Sequence, residues 1–212
     1  MKRTLLLILF ASVLMVATTG LADDGLYDPA PPPNAAFVRI VHARQVAGTI
    51  SPDLAGKPLE ALSFQQASAY VVVPEGQREA ALGAGDATSF DAVAGGFYTL
   101  AALDGGSTVI TDPINRNLAK TLVSIYNLCG AEQVSLRTAD GATTVVDGVA
   151  AGQVGYRAVN PISVDLAAFM GDQSVQAFPG LQLERGAAYS VFVMGAAAAP
   201  VAVWVRNTTS TR

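Results

Sequence analysis

The chain has 212 residues, 51% hydrophobic and 14% charged, with a mean hydropathy of +0.38, a formal net charge of −4, one Cys and one His. That composition excludes a disordered chain, a disulfide-stapled miniprotein and a metal centre built on clustered Cys or His. An acidic chain is repelled by polyanions as a whole, so no nucleic-acid partner is expected.

Residues 1–22 read as an export leader. Lys2 and Arg3 form a positive start, residues 5–16 an apolar core, and Gly20-Leu21-Ala22 supplies small residues for cleavage. The apolar core is shorter than the roughly 20 residues of a spanning helix. The exported chain is expected to begin at Asp23, with eleven basic against seventeen acidic side chains and a charge of −6. The charge is uneven along the chain. Residues 23–113 carry eleven acidic and four basic side chains, a balance of −7, whereas residues 114–212 carry six and seven, a balance of +1. The split fits either two surfaces with different partners or two halves that are each simply solvated.

Residues 23–36 form a proline-rich arm, with Pro29-Ala30-Pro31-Pro32-Pro33 unable to donate to a sheet or sit inside a helix. Its sizeable apolar side chains, Leu26 and Tyr27, either pack back on the domain or serve as docking anchors for another protein. Beyond the arm lies a repeat. Phe37-Val38-Arg39-Ile40-Val41-His42 matches Leu122-Val123-Ser124-Ile125-Tyr126-Asn127 in apolar character, 85 residues on. Gly95-Gly96-Phe97-Tyr98-Thr99-Leu100 runs parallel to Arg185-Gly186-Ala187-Ala188-Tyr189-Ser190, each a glycine turn feeding a Tyr-bearing strand. Two units are expected, 37–113 and 122–212, joined by a short polar connection over 114–121 that begins to show its character at Asp112.

Both units read as β. In the first, strands are expected at 37–43, 69–73, 79–82, 97–103 and 108–111. In the second, residues 134–138 and 143–146 flank Ala139-Asp140-Gly141-Ala142, whose Asp-Gly pair supplies the positive φ of a tight hairpin. Residues 163–169 place Val164, Leu166 and Ala168 on one face. The apolar run 191–205 is broken by Gly195 and Pro200 and gives two strands around an Ala-rich turn. Its second half alternates Val201, Val203 and Val205 with Ala202, Trp204 and Arg206, so Trp204 points away from the valine face, towards solvent or towards the other unit. The fold class is therefore all-β, two tandem small antiparallel β-sandwiches.

The parts of a serine-based transfer enzyme are missing. His42, the only imidazole, lies on the face of Val38 and Ile40 and reads as a half-buried strand residue. Neither a Gly-x-Ser-x-Gly nor a Gly-Asp-Ser nucleophile turn occurs. Cys129 has no second Cys and reads as a small packed thiol. Glycines fall at hairpin turns rather than in a phosphate-binding loop. No catalytic, cofactor-binding or metal-ligating residue is assigned, and no cofactor is expected. Trp204 with Arg206 and Arg185 forms a second candidate contact for a partner.

Leu26-Tyr27-Asp28-Pro29, Phe37-Val38-Arg39-Ile40, Leu136-Arg137-Thr138-Ala139-Asp140-Gly141, Asn160-Pro161-Ile162-Ser163-Val164, Leu183-Glu184-Arg185-Gly186 and Val203-Trp204-Val205-Arg206 occur in an order and spacing that resembles the AlgF family. The resemblance covers nearly all of the exported chain and is stronger from Ser124 onward. It departs at His42, where the family is expected to carry Asn. It implies a periplasmic accessory factor for O-acetylation of the exopolysaccharide alginate. The partners it implies are a membrane-bound O-acyltransferase and SGNH-type periplasmic acetyltransferases, which carry the catalytic residues themselves. A non-catalytic scaffold coupling these enzymes is the expected role. The alternatives are an acetyl carrier or acetyltransferase acting directly, and a module that binds the alginate polymer.

Overall fold

A computed structural model of the chain describes residues 31–46, 48–83 and 85–210. The leader, its cleavage positions, Leu26 and Tyr27 lie outside the described residues. In the first unit the strands are β1 (Ala35–His42), β2 (Thr49–Ile50), β3 (Asp53–Leu54), β4 (Lys57–Pro58), β5 (Leu62–Ser63), β6 (Tyr70–Pro74), β7 (Gly76–Ala81), β8 (Ala87–Ala92), β9 (Phe97–Leu103) and β10 (Gly106–Thr111). The second contributes β11 (Thr121–Asn127), β12 (Gln133–Thr138), β13 (Thr144–Ala150), β14 (Val154–Val159), β15 (Ser163–Met170), β16 (Gln173–Gln182), β17 (Ala188–Met194), β18 (Val201–Arg206) and β19 (Thr209–Ser210).

The strands form four main sheets. In the first unit, β10-β9-β1-β6-β19 packs against β4-β3-β7-β8, and Val38, Ile40, Leu54, Leu82 and Leu100 fill the space between them. In the second, β14-β11-β17-β18 packs against β13-β12-β15-β16 around Val123, Ile125, Leu136, Leu166 and Val191. Most pairs are antiparallel, but each unit also contains one parallel pair, β1 with β9 and β11 with β17.

A third core joins the units. Val41, Ala101 and Ile110 of the first meet Tyr126, Leu128, Phe192 and Met194 of the second. The central strands β1 and β11 are thus covered on both faces. Ala36, Val38 and Ile40 face the first unit's own core, while Val41 faces its neighbour. A strand buried on both sides must be apolar at nearly every position, which is why these two segments match so closely in sequence.

The repeat is real in the pairing, with one correction to its second half. Val38 pairs with Tyr98 and Val123 with Tyr189, so the equivalent residues are Tyr98 and Tyr189, offset by one from the alignment that the sequence suggests. Gly95 and Gly186, with φ of +74° and +76°, then correspond, and both adopt the left-handed conformation that glycine tolerates. Each tyrosine closes a corner. The Tyr98 hydroxyl accepts from the Val93 amide at 3.0 Å, and the Tyr189 hydroxyl donates to the Gln182 carbonyl at 3.2 Å. Such tyrosine corners mark Greek-key sandwiches.

The chain end returns to the first unit. β19 runs parallel to β6, with Thr209 opposite Tyr70 and Ser210 opposite Val71, and the Tyr70 amide donates to the Thr208 carbonyl at 2.8 Å. The last strand therefore extends the first unit's sheet.

Candidate functional site

The most concentrated polar group of the described residues lies between the units, around a side chain that strand patterning makes improbable there. Arg39 alternates with Val38 and Ile40 on β1, so it projects from the opposite face, towards the second unit. It is 1% exposed. A buried guanidinium is costly unless its donors are matched, and here they are. Nε donates to Thr99 Oγ1 at 2.8 Å, Nη1 to Asn207 Oδ1 at 2.9 Å, and Nη2 to the Tyr126 hydroxyl at 2.9 Å and Ser190 Oγ at 3.0 Å. Its plane lies between rings of both units, with Cζ 4.6 Å from the Tyr70 centroid and 4.8 Å from that of Phe192.

Asp112 supplies the countercharge. Its carboxylate accepts from the hydroxyls of Tyr70 at 2.7 Å, Tyr126 at 2.8 Å and Thr99 at 2.7 Å, and lies 3.9 Å from Arg39 Nη2. Direct ion-pair contact is thus marginal. Thr99 and Tyr126 bridge the charges by accepting from the guanidinium and donating to the carboxylate. Burial, with Asp112 alongside, pushes both the Tyr70 and Tyr126 hydroxyls well above the ordinary tyrosine range. The sequence reading puts Asp112 at the start of a short polar connection. It is in fact buried, because the connection begins inside the interface.

His42 is fully buried, rather than half-buried as the sequence suggests. Its Nε2 lies 3.1 Å from the Gly48 carbonyl and its Nδ1 accepts from the Arg44 amide at 3.3 Å. That network assigns the proton to Nε2 and occupies the Nδ1 lone pair. Cys129 is buried among the second unit's apolar residues, and burial pushes its thiol up. Among the described residues no three His, Cys, Asp or Glu side chains converge as a metal site.

Of the candidate contact residues, Trp204 and Arg206 share one face of β18, and Arg185 is the sequence neighbour of Glu184, the partner of Arg206. Arg206 makes a bidentate pair with Glu184 at 2.7 and 2.8 Å, and the exposed Arg185 follows in the same turn. Trp204 is half-buried and does not enter the inter-unit core. It stacks on Tyr189 at 5.2 Å and meets Phe178 at 5.9 Å, closing the edge of the second unit's core. The valine face opposite it lies against the first unit instead. Near Arg206 a cleft of about 290 Å³ runs between the units, lined by Tyr70, Phe97, Ile114, Asn115 and Gly186 among others. Asn115 holds its floor, with Nδ2 within 3.3 Å of the Lys120, Gly186 and Ala187 carbonyls.

Residues 8–190 match the family described as alginate O-acetyl transferase AlgF. The chain is 35% identical over 185 residues to the alginate biosynthesis protein AlgF of Pseudomonas putida, covering 87% of this chain and 84% of that protein. It is 31% identical over 198 residues to the protein of the same name from Pseudomonas aeruginosa, with 92% and 90% covered. A solved structure of the C-terminal domain of AlgF from P. aeruginosa is 38% identical, with a TM-score of 0.39, covering 42% of this chain and 98% of that one. On the span of the family match and the identity to the two full-length relatives, the chain belongs to the AlgF family.

Proposed function

We propose that this protein is a periplasmic, non-catalytic scaffold for alginate O-acetylation, coupling a membrane-bound O-acyltransferase to SGNH-type acetyltransferases. The observation that carries the reading is the Arg39 cluster. Its donors and acceptors come from both units and are spent on one another, so the densest set of buried polar side chains among the described residues serves to hold two sandwiches in one fixed relation. Holding surfaces at a fixed separation is what a coupling protein requires.

The same geometry weighs against a transferase. A Ser hydroxyl is activated by an imidazole with a lone pair open to it, and in His42 that lone pair is engaged inside the core. The Cys129 thiol is buried and less acidic than a free thiol, the opposite of an activated nucleophile.

The test is binding of the exported chain, residues 23–212, to the purified SGNH-type acetyltransferases by biolayer interferometry, alongside turnover of a chromogenic acetyl ester. The reading expects micromolar or tighter binding and no ester turnover by the chain alone. Absence of binding, or turnover that the His42→Ala variant abolishes, contradicts it.

A further inference from the structure

We infer that one pole of the molecule, where the inter-unit connection meets the turn before β17, docks on an anionic phospholipid surface. The pole is assembled by backbone bonds. The Gly186 amide donates to the Lys120 carbonyl at 3.0 Å, and the Leu183 amide to the Ile162 carbonyl at 3.0 Å. Lys120 Nζ reaches Asn160 Oδ1 at 2.6 Å. Three loops are thereby fixed side by side.

Those loops expose three aliphatic side chains, Leu118 at 71%, Ile162 at 52% and Ile114 at 43%. Large apolar groups on loops are not needed for the core and lose nothing by entering a lipid interface. Around them stand Arg116, Lys120 and Arg185, while Glu184, the acidic side chain of the same turn, is already paired with Arg206. This local excess of cations sits on a chain whose exported part is net −6. Aliphatic prongs among basic residues, with no exposed aromatic platform on these loops, match a bilayer bearing anionic headgroups more closely than a sugar polymer.

The direction of the chain agrees. β1 begins beside β9 at Phe37 and Phe97, and the Gly95 amide donates to the Ala35 carbonyl at 2.7 Å. Phe97 also lines the cleft with Ile114 and Gly186. The first described strand therefore starts at this same pole.

The inference goes beyond the scaffold reading and can fail without it, because partner binding in solution needs no lipid. It is tested by co-sedimentation of residues 23–212, which retain every described residue, with vesicles of phosphatidylcholine alone or of equimolar phosphatidylcholine and phosphatidylglycerol. At about 0.1 M salt, binding at least about tenfold tighter to the anionic vesicles is expected, weakening as salt rises. The surface variants Leu118→Glu with Ile162→Glu, and Lys120→Glu with Arg185→Glu, are each expected to lose at least about tenfold while keeping the parent circular dichroism and unfolding midpoint. Equal partition to both vesicles, no partition, or vesicle binding unchanged in both variants overturns it. Loss of acetyltransferase binding in these variants without any vesicle binding overturns it too, and assigns the pole to a protein partner.

Discussion

At the residue scale the molecule turns on Arg39. Replacing it with Met leaves the Asp112 carboxylate buried without its countercharge, and such an orphaned charge costs about 3–5 kcal/mol. Urea unfolding of Arg39→Met should show a loss of that size, whereas Thr99→Val, which removes one bridging hydroxyl, should cost about 1–3 kcal/mol. The two tyrosines give a pH signature. Their folded hydroxyls ionise well above the ordinary value of 10.0, and those of the unfolded chain near it. Their contribution to stability is complete below about pH 10 and is lost as the pH rises beyond it. Near-ultraviolet tyrosinate absorbance from these residues should therefore appear together with unfolding, not before it. Sequence reading places Arg39 on an expected strand but singles out neither it nor its partners. Thr99, Tyr126, Ser190 and Asn207 lie 60 to 168 residues away in sequence, and no local pattern encodes such distances.

At the element scale, the strands that sequence reveals are those with one dominant face or two buried ones. β9 falls at 97–103 as expected, β12 and β13 form the Asp-Gly hairpin, and β17 and β18 flank the Ala-rich turn. β14 and β16 are missing from the sequence reading for a physical reason. β16 is mostly exposed along its ten residues, carries Pro179 and Gly180, and shifts register against β15 twice, so its alternation is blurred. β14 contains Gly155, which has no side chain to register. That glycine is nonetheless required. A Cβ there would lie 2.5 Å from Val149 Cγ2 and 2.6 Å from Val146 Cγ1. Gly155→Ala should force the β13 valines aside and cost about 1–3 kcal/mol, read by thermal unfolding. Gly96→Ala should do similar damage to the first unit, since its Cβ would meet the Tyr98 hydroxyl at 2.8 Å and the Val93 carbonyl at 2.9 Å, opening the tyrosine corner. Ending the chain at Asn207 removes β19 and the bond from Tyr70 to Thr208. A loss of about 1–2 kcal/mol in urea unfolding is expected, from one or two hydrogen bonds at a sheet edge.

At the scale of the whole molecule, two sandwiches share a third core, a buried ion cluster and an exchanged end strand. Sequence showed the duplication and the all-β class, because alternation, glycine turns and the 85-residue offset are local or periodic. It did not show that the units are fused face to face. The clue lay in β1 and β11, apolar on both faces, a pattern that one sandwich alone does not explain. Fusion predicts a single cooperative unfolding transition, with fluorescence of Trp204 in the second unit tracking the backbone signal of both. The most direct test of the proposed scaffold role is mass photometry of residues 23–212 mixed with the acyltransferase, held in detergent, and an SGNH-type acetyltransferase. A species containing all three, with each binary complex also present, is the expected result. Two binary complexes that exclude one another, or no complex at all, would contradict the scaffold account.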